Sequence, residues 1–243
     1  APRPRTPRPR LDAPFVHVLN RSVRKLPIFL RPQDYRAFLK VLEEGLARYP
    51  VRLVAHCVLS NRWHLVLGPD GTEALIRFMQ WVTATHAIRW QRQHHLRGQG
   101  RLYQGRYHSV ALERPSDLIQ MCRSVERTAM QSHLVRRAQD WPWCSLAERL
   151  QPSSSLPLVG ASYLMSSAWV DYVNTATPRE QSGAVRTSGL GLDDVAEDPR
   201  VFAIGTKRGQ RVVGRLARAH QHNPDAHVER AEHLSIVDPA SVL

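Results

Sequence analysis

Lysine is almost missing from this chain of 243 residues: Lys25, Lys40 and Lys207 are the only ones, so nearly all of its 34 basic side chains are arginine. Cysteine is scarce too. Cys57, Cys122 and Cys144 lie far apart with no Cys-x-x-Cys pair, which argues against both a disulfide framework and a zinc knuckle. Two of the three sit in apolar segments and read as small buried hydrophobes. No apolar run approaches the roughly 18 residues of a membrane-spanning helix, and the first residues carry no signal-peptide core. The expectation is a cytoplasmic protein that makes no membrane contact. Internal repeats are absent. So are acidic residues between Ala74 and Leu112.

What is present is positive charge. A net charge of +13 and a pI near 10.7 suit a polyanionic partner, nucleic acid rather than a membrane surface. Arginine supplies forked donors that match phosphate. Within the acid-free stretch, Arg77, Arg89, Arg92, Arg97, Arg101 and Arg106 alternate with Trp81, Trp90, Tyr103 and Tyr107. Charge for phosphates with flat rings between is what a single strand requires. The bland alternative is a solvated helix face with aromatics in the core. Arg21, in the loop after the first strand, joins the candidate contacts.

Three regions follow from composition. Residues 1–13 alternate proline with arginine and read as an extended basic arm that forms no core. Residues 14–150 carry the periodic patterns of a folded domain. Residues 151–243 read as a linker and a mostly irregular basic tail. There the histidines at 220, 222, 227 and 233 lack the apolar support that a metal site needs.

Within the central region, Phe15 to Leu19 predicts a strand, and Tyr35, Phe38, Leu39, Leu42 and Leu46 fall on one helix face. Val51 to Leu59 alternates as a second strand and Trp63 to Leu67 as a third. A long helix follows from about Thr72 to His95, then a strand from Arg106 to Leu112. The last long helix starts near Ser116, a plausible N-cap, with Leu118, Cys122, Val125 and Ala129 inward. Trp141-Pro-Trp-Cys-Ser145 reads as an aromatic tether, and Trp169 to Asn174 as a short amphipathic segment. The order describes an α+β fold, a ferredoxin-like antiparallel sheet with helices packed on one face and an irregular C-terminal extension.

The stretch from His56 to Leu67 holds the main candidate site. Side chains alternate along a strand, so Arg62 and His64 point to one face and Trp63 to the other. Two polar groups so placed can hold a metal ion or a phosphate. A lone histidine satisfied by a backbone partner is the competing reading.

Five segments tilt that balance: Phe15-Val-His-Val-Leu-Asn-Arg21, the His56–Leu67 stretch, Leu102-Tyr-Gln-Gly-Arg-Tyr107, Val125-Glu-Arg127 and Trp141-Pro-Trp-Cys-Ser145. In order and spacing they resemble the REP-associated tyrosine transposases, a branch of the HUH single-strand nuclease superfamily. The resemblance implies two strand histidines and a polar helix residue around a divalent metal, with a helix tyrosine attacking the scissile phosphate. Here His64 matches the second metal-binding histidine, Arg62 replaces the first, Ser124 stands at the tyrosine and Thr128 at the polar residue. The family's reaction is therefore expected to fail. The leading expectation is a protein that binds single-stranded or hairpin DNA, with no cofactor and with cleavage lost. A second reading keeps an active nuclease using magnesium or manganese, with Tyr103 or Tyr107 as nucleophile. A third is a decaying remnant. Monomer and homodimer are both open.

Overall fold

The computed structural model describes residues 13–96, 98, 100–151, 156–160 and 162–176. The proline-arginine arm up to residue 12, Arg97, and the tail with its histidines lie outside the described residues. Four strands form one sheet: β1 (Phe15–Arg21), β2 (Val51–Val58), β3 (Arg62–Pro69) and β4 (His108–Leu112). Their order is β2-β3-β1-β4 and every neighbouring pair is antiparallel. Helices α1 (Pro32–Arg48) and α2 (Thr72–Gln93) make the two crossovers, as a ferredoxin-like βαββαβ unit requires.

Local chemistry places these elements. Pro32 opens α1, and the Asp34 carboxylate accepts the backbone N–H groups of Leu30 and Arg31 at 3.0 and 3.1 Å, satisfying donors that a helix start leaves orphaned. The helix ends at Arg48, just ahead of Pro50. Its stripe of Tyr35, Phe38, Leu39 and Leu42 is buried. Gly45 lets α2 come close, because a Cβ there would stand 3.0 Å from the Phe78 ring. Together α1 and α2 cover the sheet face that carries Trp63, whose ring stacks on Phe38.

The opposite face is covered as well. Ala55, Cys57 and Val66 share a core with Cys122, Val125 and Ala129 of α3 (Pro115–Gln131). The α+β sheet with helices packed on it is as the sequence predicts. The arrangement with helices on one face describes α1 and α2, and α3 adds a second layer. The reason is legible in β3, whose residues Arg62 to Gly68 are all buried, so both of its faces need cover. Pro115 starts α3, and Asp117 holds Arg114, as cap and ion pair both; Ser116 is exposed and is not the cap. All three cysteines are free and buried.

The packed region also runs past Leu150. Val159 N donates to Leu53 O at 2.8 Å along the outer edge of β2. The short helices α4 (Ser145–Arg149) and α5 (Ser167–Asn174) bury Leu146, Trp169 and Val173 against α3. The amphipathic spacing of Trp169 and Val173 thus marks part of the core.

Candidate nucleic-acid interface

Arg62 and His64 do share one face of β3, and the register adds neighbours. Leu19 lies opposite His64 and Arg21 opposite Arg62, so strand alternation puts His17, Leu19 and Arg21 on that same face. His17 Nε2 and His64 Nδ1 stand 3.2 Å apart, with the two rings nearly parallel. Burial lowers the His17 pKa to about 4. His64 is held well below its ordinary value, by burial first and then by His17, Arg62 and Arg21 around it. Its Nε2 is buried with no hydrogen-bond partner.

Arg62 is nearly buried and works across the layers. One guanidinium nitrogen donates to Asn61 Oδ1 at 3.3 Å and another to Ser132 Oγ at 3.1 Å. Ser132 caps the C-terminus of α3, so the bond ties β3 to the end of that helix. Ser124, Thr128 and Ser132 follow one another at one-turn intervals. Thr128 Oγ1 donates back to Ser124 O at 3.1 Å. Both residues are partly exposed.

These residues do not make a fit for a divalent cation. Two imidazoles face each other, two guanidiniums stand close by, and among the described residues no group of three or more His, Cys, Asp or Glu is placed to hold a metal. Fixed positive charge in a poorly hydrated place repels a cation and favours an oxyanion.

The Val125-Glu-Arg127 segment proves to be scaffold. The Glu126 carboxylate, fully buried, accepts from Ser145 Oγ at 2.6 Å, from Trp169 Nε1 at 2.7 Å and from Arg149. Arg127 donates to the backbone carbonyls of Val173 and Thr175 at the end of α5. The tryptophan tether is scaffold as well: Trp141 Nε1 donates to Val58 O at 2.9 Å and Trp143 stacks on Tyr35.

The acid-free stretch of sequence is not acid-free in space. Glu44 of α1 clasps Arg89 with both oxygens, at 2.9 and 2.7 Å, and Glu73 takes Arg77 at 2.7 Å. Arg92, Arg101 and Arg106 are exposed, and Arg21 is half-buried. The aromatics are occupied in packing. Trp90 is buried and donates to Ile28 O at 2.6 Å. Tyr103 is locked between Trp63 Nε1 at 3.0 Å and His86 Nδ1 at 2.5 Å, and its burial pushes the phenol pKa upward. Tyr107 is buried too. None of these three rings presents an open face for a base.

His17 is the site residue that sequence reasoning passed over. Its parity with Arg21 along β1 was visible, but only the β1–β3 register shows that it meets His64.

No protein-family model matches the chain, and no curated protein matches it. Among solved structures it is similar to a REP-associated tyrosine transposase bound to a REP hairpin, at 12% identity and a TM-score of 0.50, over 65% of this chain and 91% of that one. It also matches a transposase candidate from Deinococcus radiodurans, at 17% identity and a TM-score of 0.37, over 55% of this chain and 95% of that one. The first likeness bears on the fold, a four-stranded antiparallel sheet with packed helices. Among the described residues no helix is long and apolar enough to cross a membrane.

Proposed function

We propose that this protein is a DNA-binding relative of the tyrosine transposases that recognises single-stranded or hairpin DNA and has lost strand cleavage. The observation that carries the proposal is the Arg62–His64 arrangement. A guanidinium stands beside the His64 imidazole on β3 where the family resemblance calls for the first metal-binding histidine, and its neighbours are Arg21 and His17. Ser124 offers no phenol, and Thr128 no amide. The fold likeness to a transposase that is itself bound to a hairpin supports the choice of ligand, as does the net charge of +13. In this reading a DNA phosphate exchanges with Asn61 and Ser132 at the Arg62 guanidinium and is held by a charge-assisted fork. The burial of Tyr103 counts against it as a replacement nucleophile.

The test is twofold. Fluorescence anisotropy should show a labelled hairpin or single strand bound more tightly than a blunt duplex, with log affinity falling steeply as log salt rises. Incubation of the hairpin with the protein and magnesium or manganese should leave no protein–DNA adduct on a denaturing gel. Equal affinity for the duplex overturns the choice of ligand, and an adduct overturns the loss of cleavage.

A further inference from the structure

In sequence the candidate contacts run from α2 into the segment before β4, and the fold brings the later ones beside basic residues that follow β1, at one end of the sheet. The regular β1–β4 ladder ends at Leu19–His108, but backbone pairing resumes past Arg21 in an isolated bridge. Ser22 bridges to Tyr103, Val23 N donates to Leu102 O and Gln104 N to Arg21 O, both at 2.9 Å. From the pair Leu19–His108 to the pair Ser22–Tyr103, one strand advances three residues and the other retreats five. The two extra residues make a bulge around Gly105.

Bulges re-aim side chains. In this one Leu102, Tyr103 and Tyr107 turn inward and are buried, while Arg101, Gln104 and Arg106 are exposed. On the β1 side Arg24 and Lys25 are exposed at φ of 55° and 57°, a left-handed conformation that side chains rarely adopt. The β2–β3 corner closes on the same end. Ser22 N donates to Asn61 O at 2.8 Å and Asn61 Nδ2 to Lys25 O at 3.3 Å, and Arg62 follows directly. Three segments thus converge, and none of residues 13–33, 51–69 or 74–112 contains an acid. On α2, Arg77 and Arg89 are held in ion pairs with Glu73 and Glu44.

We propose that this bulged end of the sheet is the surface that takes the phosphate backbone of a nucleic acid, with Lys25, Arg101 and Arg106 as its contacts and the paired arginines of α2 outside it. The inference rests on the nucleic-acid reading above and adds the face that is used. Backbone hydrogen bonds hold the segments together, so the cations are presented on an ordered frame, and less freedom is lost when phosphates arrive.

The test compares two double variants of the full chain, each checked by thermal melting, in anisotropy titrations with a labelled hairpin oligonucleotide. Arg101→Ala with Arg106→Ala is expected to weaken binding about 10-fold or more and to lower the slope of log affinity against log salt by about one per side chain. Arg77→Ala with Arg89→Ala is expected to change affinity by less than about 2-fold, as for already paired surface charges. Lys25→Glu, on the other segment, is expected to weaken binding as well. Equal losses in the two double variants overturn the assignment of the face. So does unchanged binding in both the loop double variant and Lys25→Glu, while hairpin binding by the wild type keeps the nucleic-acid reading. A wild type that binds anionic vesicles and no nucleic acid overturns both.

Discussion

His17, His56, His64 and His86 are all buried, and burial holds each of them neutral in the folded chain. The pKa falls from 6.5 to about 4 for His17 and to about 3 for His56 and His86, and well below the usual value for His64. In the unfolded chain the same imidazoles take up protons below about pH 6.5. The unfolded state then binds more protons than the folded one, so stability is full above pH 6.5 and is lost as the pH falls toward 4 and below. Each histidine contributes up to about 1.4 kcal/mol per pH unit within that window. Melts from pH 7.5 to 4.5 should show the midpoint dropping steadily below 6.5, and an unchanged midpoint at pH 4.5 would contradict this account.

At the scale of elements, α3 joins the sheet to the C-terminal helices. Its Glu126 collects Ser145, Arg149 and Trp169, while Arg123 and Arg127 reach the carbonyls of Tyr172, Val173 and Thr175. These carbonyls lie at the end of α5, where four acceptors lack helical partners, so the two arginines act as a cap supplied from another element. A chain ended after Leu150 loses Trp169 and Val173 from the core and leaves polar groups around Glu126 unmatched. It is expected to lose several kcal/mol, since emptying large buried positions alone costs roughly 3–5 kcal/mol each. A chain ended after Ala176 keeps all of these contacts. Urea titration of the two truncations should place the first well below the second, and equal midpoints would mean that α5 adds little.

For the whole molecule, the issue is whether an intact frame carries a switched-off site. Arg62, Ser124 and Thr128 differ from what the family resemblance calls for. Positions 124 and 128 lie one turn apart on α3, and position 132 on the same run is bonded to Arg62. Restoring all three, as Arg62→His, Ser124→Tyr and Thr128→Asn, would add a third strand imidazole to His17 and His64, with a phenol and an amide, on one side of the sheet. Nicking of a hairpin with manganese present, leaving an adduct that survives denaturation, is the expected outcome. Ser124→Tyr alone should give far less. A folded, DNA-binding triple variant that forms no adduct would show that the frame itself has drifted.

The four strands, the three long helices, their order and the antiparallel α+β class are legible in the sequence, because alternation in the strands and the helical stripes of α1 to α3 are local patterns. So is the shared face of Arg62 and His64 on β3. What those side chains meet is set by contacts between distant segments. His17 reaches His64, and Ser132 reaches Arg62, through strand register and helix docking, which no short-range spacing encodes. The acid-free run from Ala74 to Leu112 looked like one basic track, yet Glu44, remote in sequence, clasps Arg89 once α1 packs on α2. Trp90, Tyr103 and Tyr107 looked like platforms for bases, but hydrophobic burial is non-directional and drew them into the core. Charge and periodicity are written along the chain, while pairing and burial exist only once distant segments are in contact.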